Sequence, residues 1–164
     1  MASFQNFLGL TLDSTLNWHE HVNNVAKKIV GLIGSLYRAS YLLHPDTKLA
    51  LYYAHIHSHL TYMCHIWGAA DSTFLRTLKI LQNKAIRAIF KSEYQDPAVH
   101  TSDLFRRHRI LTLDHLTNFS AAVMTYRIRT GCTHSSVRME TNSMYHSYET
   151  RRRSNIRPSQ PHNR

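Results

Sequence analysis

The chain has 164 residues, which is enough for one domain with a hydrophobic core, or for one domain and a tail. Its 20 Lys and Arg residues against 10 Asp and Glu residues make the formal net charge +10, which favours an anionic partner, nucleic acid ahead of a membrane surface. Two cysteines without a C-x-x-C pair exclude a disulfide framework and a zinc knuckle, and histidines and charges interrupt every apolar run that could span a bilayer. Charge alone leaves open the alternative of a basic protein without an anionic partner.

Residues 7–12 are predicted to form a short, half-buried strand. Four of them are apolar, and Gly9 interrupts them, as expected where another backbone approaches closely. Residues 13–15 have the short polar side chains of a turn, and Asn17 fits the N-cap of a following helix. Because a strand needs a partner and little of the chain precedes this one, we expect residues 1–16 to be the end of a strand and a turn from something larger.

Helical periodicity dominates the chain from residue 17 to residue 131. Apolar residues that recur every three or four positions predict four long helices and one short helix. The predicted helices cover residues 18–38, about 46–67, 72–91, 101–108 and 113–130. The predicted fold class is therefore all-α: a helical bundle of four to five helices with a short N-terminal strand and an irregular basic C-terminal tail.

The composition changes beyond Cys132. Ser, Thr, Asn, Arg and Pro dominate residues 132–164, and apolar residues are sparse. Such a segment cannot bury enough apolar surface to fold alone, so we predict a basic, flexible tail after a helical domain that covers residues 17–131.

The third predicted helix, residues 72–91, has a basic face and an apolar face. At 100° per residue, five cations fall within about 140° of one another, and four apolar residues fall on the opposite side. The cations are Arg76, Lys79, Lys84, Arg87 and Lys91, and the apolar residues are Leu78, Leu81, Ala85 and Ile89. A basic stripe of this kind suits a phosphate backbone, although an ordinary solvated helix face explains the stripe alone equally well.

Three further arginines and a histidine pair have the chemistry of a binding or metal site. Arg106 and Arg107 cluster on the short helix, and Arg151 lies in a run of three arginines in the tail, so these cations join the candidate phosphate contacts. His55 and His59 are one helical turn apart, as metal ligands often are, but the spacing suggests no third ligand. We therefore expect these histidines to be structural and assign no metal ligand.

Five sequence blocks resemble one family in the same order. The first is F-L-G-L-x-L-D-x-x-L-x-W-x-x-H at residues 7–21. The others are L-Y-Y with H-S-H-L-T-Y at residues 51–53 and 57–62, I-W-G at residues 66–68, L-Q-N-K-A-I-R at residues 81–87, and H-S-Y-E-T-R at residues 146–151. Together they resemble the thumb and C-terminal region of reverse transcriptases of non-LTR (LINE-like, jockey-type) retrotransposons.

The resemblance implies a fragment without its catalytic part. In the family, the first block closes the palm and opens the thumb, and the palm carboxylates hold the divalent metals of polymerisation. This sequence has no Asp-Asp pair, and its ten acids are scattered singly, so no catalytic residue and no cofactor are assigned to it. The chain also stops before the family's Gly…Trp-Asn…Leu-Pro segment, which leaves the tail as natural disorder or a truncated element.

The expected function follows from the resemblance and the basic stripe together. The region would hold an RNA or RNA–DNA duplex through phosphate contacts that read no sequence, would not polymerise DNA alone, and would have the missing palm as a further partner. No small-molecule substrate and no membrane contact are expected. Two alternatives stay open: a helical protein-interaction module that uses residues 7–12 as its contact, and a transposon relic without a present function.

Overall fold

A computed structural model describes residues 4–95 and 98–132. In this part the fold is all-α apart from short N-terminal strands, which confirms the predicted class. The strands are β1 (Gln5–Phe7) and β2 (Leu10–Leu12). The helices are α1 (His19–Ala39), α2 (Pro45–Leu51), a π-helical segment (Tyr52–His57), α3 (Ser58–Thr61), α4 (Cys64–Trp67), α5 (Ser72–Ile89), α6 (Lys91–Tyr94), α7 (Thr101–Arg107) and α8 (Leu113–Arg129). The tail predicted after Cys132, with Arg151, lies outside the described residues.

The chain divides into two compact units. The first extends to Ala121 and contains the hydrophobic core, and the second begins at Ala122. Helix α8 therefore starts in the first unit and ends in the second. Gly131, which follows α8, has φ 71°, the left-handed conformation that commonly ends a helix and that the sequence predicts at this position.

The N-terminal strand is half of a hairpin. Leu8 and Gly9 have positive φ angles of 48° and 81°, and Phe7 pairs with Leu10 across them. Positive φ at both central residues is typical of the tight turns that join antiparallel strands, and glycine adopts it without strain. The single strand predicted over residues 7–12 is therefore corrected: the chain turns at Leu8 and Gly9, and β2 finds its partner in β1.

Hydrogen bonds and a buried leucine attach the hairpin to the helices, and one of the bonds runs from the Asn24 amide on α1 to the Thr11 hydroxyl at 3.3 Å. The Tyr62 hydroxyl donates a hydrogen bond to the Leu8 carbonyl at 2.6 Å, and the Thr11 N–H donates to His21 Nδ1 at 3.3 Å. Leu10 is buried in the core. The strands are thus held by side chains of α1 and of the segment after α3.

Helix α1 forms as its periodicity predicts. The N-cap residue is Trp18, with φ 64°, and not Asn17 as the sequence predicts. The Asn17 side chain nevertheless accepts a hydrogen bond from the His19 N–H at 2.9 Å, which satisfies one of the free donors at the helix start. Its apolar face packs chiefly against α5. The buried apolar residues of α1 are Val22, Val25, Ala26, Ile29, Ile33 and Leu36.

The second predicted helix, residues 46–67, is divided in the structure. The buried residues Tyr52, Ile56, Leu60 and Cys64 recur every four positions. In an α-helix such a row drifts by about 40° at each step, and the wider π-helical turn offsets this drift. Met63 then has φ 48°, which ends the helical run before α4. The simple apolar stripe does not distinguish this arrangement from one continuous helix.

Trp67 and Gly68 stabilise the chain where the helical run is interrupted between α3 and α4. The fully buried Trp67 donates its indole N–H to the Tyr62 carbonyl at 2.8 Å, which satisfies an acceptor exposed by the chain break. A Cβ atom at Gly68 would lie 2.6 Å from Thr117 Cγ2. Only glycine therefore allows α8 to pack this closely at the end of α4.

A buried glutamine joins three separate parts of the first unit. Gln82 on α5 donates hydrogen bonds to the Tyr52 hydroxyl at 2.9 Å and to the Leu111 carbonyl at 3.0 Å, and accepts one from the Leu113 N–H at 2.9 Å. Burial raises the pKa of Tyr52 to about 12, so the phenol stays neutral. The Gln82 amide fixes the start of α8 against α5 and the π-helical segment.

Replacement of Gln82 by alanine is expected to destabilise the chain strongly. Gln82→Ala leaves the Leu113 N–H and the Leu111 carbonyl without their core partner, and we expect the free energy of unfolding to fall by roughly 2–4 kcal/mol. Chemical denaturation measures this loss. The control is Asn83→Ala at the neighbouring half-buried position, which should cost less than about 0.5 kcal/mol. Equal losses for the two variants would contradict the role of Gln82.

The attachment of the hairpin is expected to weaken in acid. Burial, and then the nearby Lys28 ammonium, lowers the pKa of His21 below its ordinary value of 6.5. The stability from neutral His21 is therefore fully present above about pH 6.5 and is lost as the pH falls through its folded-state pKa. The free energy of unfolding, measured in urea, should fall between about pH 7.5 and about pH 5.

The matched variants separate His21 from other histidines. His21→Gln should make the fall with pH shallower, whereas His115→Gln, at an exposed position, should leave it nearly unchanged. Part of the fall should remain in His21→Gln, because burial also lowers the pKa of His57 and His59. A pH-independent free energy of unfolding in the unmodified chain would contradict the prediction.

Candidate nucleic-acid interface

Helix α5 has the two faces that the sequence predicts. The Asp71 carboxylate accepts a hydrogen bond from the Thr73 N–H at 2.7 Å, which caps the helix and lowers the pKa of Asp71. The predicted apolar face is buried in the core, where it packs against α1: its residues are Leu78, Leu81, Ala85 and Ile89. The basic residues lie on the opposite side of the helix, away from the core. The exposure of each one depends on the side chains that it contacts.

Arg76 and Lys84 are the accessible cations of α5. Both are exposed, and neither makes an ion pair within residues 4–95 and 98–132. They are eight residues apart, or about 12 Å along the helix axis. Ile80, which is 45% exposed, lies between them. This part of α5 offers two unneutralised charges beside a small apolar surface.

Lys79 is held in an ion pair. Its ammonium lies 2.7 Å from Asp114 Oδ1 in the first turn of α8. The carboxylate neutralises the charge locally, although both side chains keep some exposure to solvent. The sequence predicts Lys79 as a phosphate contact, and the structure gives it a partner from a distant helix.

Arg87 faces α7. Its Nε–H donates a hydrogen bond to the Thr101 hydroxyl at 2.8 Å, and the side chain is half-buried. This contact connects α5 with the start of α7, so Arg87 has a structural role at the junction of the two helices.

Lys91 belongs to a different helix from the rest of the stripe. Helix α5 ends at Ile89, and Phe90 has the non-helical angles φ −101° and ψ 41°. The Phe90 ring is buried and stacks on His108, with centroids 3.6 Å apart. The helix predicted to reach residue 91 therefore ends earlier, and the angular position calculated for Lys91 does not apply. Its side chain is exposed at the start of α6.

The two arginines of α7 differ in their surroundings. Arg107 forms an ion pair with Glu93 at 2.8 Å, and His108 Nε2 lies 3.0 Å from the other oxygen of the same carboxylate. Arg106 is exposed and makes no ion pair in the described part of the chain. Helices α6 and α7 both pack on α5, so the accessible cations Arg76, Lys84, Lys91 and Arg106 lie on neighbouring elements.

Sequence reasoning missed the two acids that neutralise part of the candidate site. Asp114 lies in the first turn of a helix, where a carboxylate favours the helix dipole whatever its neighbours are. Glu93 lies outside the predicted helices. Neither position is linked to a cation by helical spacing, so no local signal predicts their pairing with Lys79 and Arg107.

Within the described residues, no group of three or more His, Cys, Asp or Glu side chains is placed to hold a metal ion. No helix in the same ranges combines the length and apolar character needed to cross a bilayer. Comparisons of the chain with protein-family models, with curated proteins and with solved structures found no match.

Proposed function

We propose that the chain is the nucleic-acid-binding thumb and C-terminal part of a non-LTR retrotransposon reverse transcriptase, and that it holds RNA or an RNA–DNA duplex by its phosphates. The observation that carries the binding proposal is the set of accessible cations on α5, α6 and α7. These are Arg76, Lys84, Lys91 and Arg106. Lys79 and Arg107 are weaker candidates for phosphate contacts, because each already forms an ion pair with a carboxylate.

Phosphate binding suits these cations for a physical reason. A nucleic acid carries condensed counterions, and each Lys or Arg that contacts a phosphate releases some of them, which favours binding at low salt. Exposed cations without carboxylate partners keep their full charge for this purpose. The formal net charge of +10 adds long-range attraction for a polyanion. Such contacts position a duplex without reading its bases.

The family origin is supported by the sequence blocks, and their residues have structural roles here. Tyr52, Leu60, Trp67 and Gln82 all belong to the blocks and are fully buried. They hold the helices together, whereas the accessible cations lie outside the core. The sequence contains no adjacent carboxylates for polymerase chemistry, so we propose binding without catalysis by this chain.

One observation favours a protein-interaction module as the second candidate. Phe4, Phe7 and Leu8 of the hairpin are each at least half exposed, Phe7 by 62% and Leu8 by 64%. Exposed apolar residues beside the edge of a short sheet are typical of a contact with another chain. Leu10, in contrast, is buried, so only the first part of the contact predicted over residues 7–12 is available.

A salt titration tests the proposed function. The affinity of the purified chain for an RNA–DNA hybrid should fall linearly with salt on logarithmic axes and should be similar for unrelated sequences. Absence of binding at low salt, or binding that does not depend on salt, would overturn the proposal. Retained cooperative unfolding without nucleic-acid binding would favour the interaction module, and loss of cooperative unfolding would favour a relic.

Charge reversal on α5 should weaken hybrid binding. The double variant Arg76→Glu/Lys84→Glu removes two accessible charges, so we expect at least about a tenfold loss of affinity and a salt slope smaller by roughly two. Fluorescence anisotropy with a labelled hybrid measures both quantities. The control Lys27→Glu reverses an exposed charge on α1 and should have a smaller effect. An unchanged salt slope in the double variant would remove α5 from the interface.

Removal of the ion pair of Lys79 should strengthen hybrid binding. Asp114→Asn removes the carboxylate that pairs with Lys79, so the ammonium becomes available and we expect roughly two- to fivefold tighter binding. The control Asp46→Asn removes a carboxylate from the first turn of α2, the equivalent position of another helix. Equal gains from both variants would show a general charge effect instead of a local one.

A further inference from the structure

A second basic site lies between the hairpin, α1 and α3. A cavity of about 370 Å³ opens there, and among the described residues that line it none belongs to α5. Its polar lining consists of His21, Asn24, Lys28, Ser58, His59 and Tyr62. The volume lies in the range of pockets that hold small molecules.

The charge of this cavity favours an anion. Lys28 supplies a permanent positive charge, and His21 and His59 can each take up a proton. No carboxylate is found among its lining residues in the described part of the chain. An anion would meet the Lys28 ammonium and two imidazole rings that can donate hydrogen bonds.

The three basic side chains also have donors to spare. His21 Nδ1 accepts a hydrogen bond from the Thr11 N–H, so the proton of the neutral ring is on Nε2. Within residues 4–95 and 98–132 no hydrogen bond from this Nε2–H is found, and since no buried side-chain nitrogen or oxygen in these ranges lacks a partner, Nε2 keeps some contact with solvent. In the same ranges the Lys28 ammonium makes no ion pair and the His59 ring makes no hydrogen bond.

The hydroxyl groups of the cavity are already used as donors. Ser58 donates to the Ala54 carbonyl at 2.7 Å, and Tyr62 donates to the Leu8 carbonyl at 2.6 Å. Tyr62 therefore contributes its ring, which is fixed by this hydrogen bond and lies next to Gly9. A fixed aromatic ring beside an anion site suits a ligand with a flat base.

We propose that this cavity binds the phosphate monoester of a nucleotide, with Lys28, His21 and His59 as donors to the phosphate oxygens and Tyr62 beside the base. The shared chemistry is a terminal phosphate, carried by a free mononucleotide or by the 5′ end of an oligonucleotide. The proposal is independent of the α5 stripe, because the two sites share no residue.

Binding of a phosphate is linked to protonation of His59, whereas His21 donates from Nε2 in its neutral form because its Nδ1 accepts the Thr11 N–H. Burial, then Lys28 and then His55 lower the pKa of His59, and burial and Lys28 lower the pKa of His21. The hairpin adds no charge to the lining, since it contributes only Gly9. A bound dianion opposes the lowering of the His59 pKa, so affinity should rise as the pH falls from about 7.5 to about 6.

Calorimetry with the full chain tests the site. At about 50 mM salt, adenosine monophosphate should bind more tightly than adenosine and more tightly than inorganic phosphate. Preference for a 5′-phosphorylated oligonucleotide over its 5′-hydroxyl form assigns the terminal-phosphate source. Binding of the mononucleotide without that preference assigns the free nucleotide.

Neighbouring lysines provide the matched control. Lys28→Ala should weaken binding of adenosine monophosphate by roughly fivefold or more, because it removes a charged donor. Lys27→Ala and the α5 variant Lys84→Ala should change it by less than about twofold, since neither residue lines the cavity. The Lys28 side chain is exposed, so the variant should keep its fold, and circular dichroism and the melting temperature verify this.

Three results would overturn the proposal. They are equal affinity for adenosine monophosphate and adenosine, affinity for adenosine monophosphate no greater than for inorganic phosphate, and equal losses in Lys27→Ala and Lys28→Ala. Failure of this test with intact binding of the RNA–DNA hybrid would leave the proposed function standing. Loss of hybrid binding in the double variant of α5 would leave this cavity unaffected.

Discussion

The arrangement of the helices depends on the buried amide of Gln82. Its three hydrogen bonds join α5 to the π-helical segment on one side and to the start of α8 on the other. The partners lie 29 to 31 residues away along the chain in both directions. A buried amide with all its groups satisfied is specific, because any shift of a helix leaves a polar atom without a partner in the core. The position of the basic face of α5 therefore follows from a contact on its opposite face.

Acidic residues decide which cations of that face are available. The chain has ten acids for 20 Lys and Arg residues, and two of the acids, Asp114 and Glu93, pair with Lys79 and Arg107. These exposed pairs contribute little to stability. Their larger effect is to neutralise Lys79 and Arg107. Among the described residues of α5, α6 and α7, the exposed cations without an ion pair are then Arg76, Lys84, Lys91 and Arg106. The tertiary contacts thus leave fewer accessible cations than helical spacing predicts.

Periodicity predicted much of the fold and part of the site. The approximate bounds of α1, the start of α5, its buried face and the exposure of Arg76 and Lys84 were predicted from 3.6 residues per turn and from turn residues, whereas α5 ends at Ile89 and not at residue 91. Periodicity could not predict the hairpin, the division of the second helix or the ion pairs, because each depends on contacts between distant residues. The end of α5 before Phe90 also involves a contact between distant residues, since the Phe90 ring stacks on His108. Whether the accessible cations bind nucleic acid stays a prediction.

The number of residues in the π-helical segment determines which side of the following helical turn faces the core. Its wide turn holds one residue more than an α-helical turn, so removal of one residue from Tyr52–His57 would let a regular α-helix form. Local hydrogen bonding would improve, yet every later residue of the run would rotate by about 100° about the helix axis. Leu60 would then leave the core that it now fills. In this segment a deletion is more harmful than most substitutions, and related chains should conserve its length more strictly than its residues.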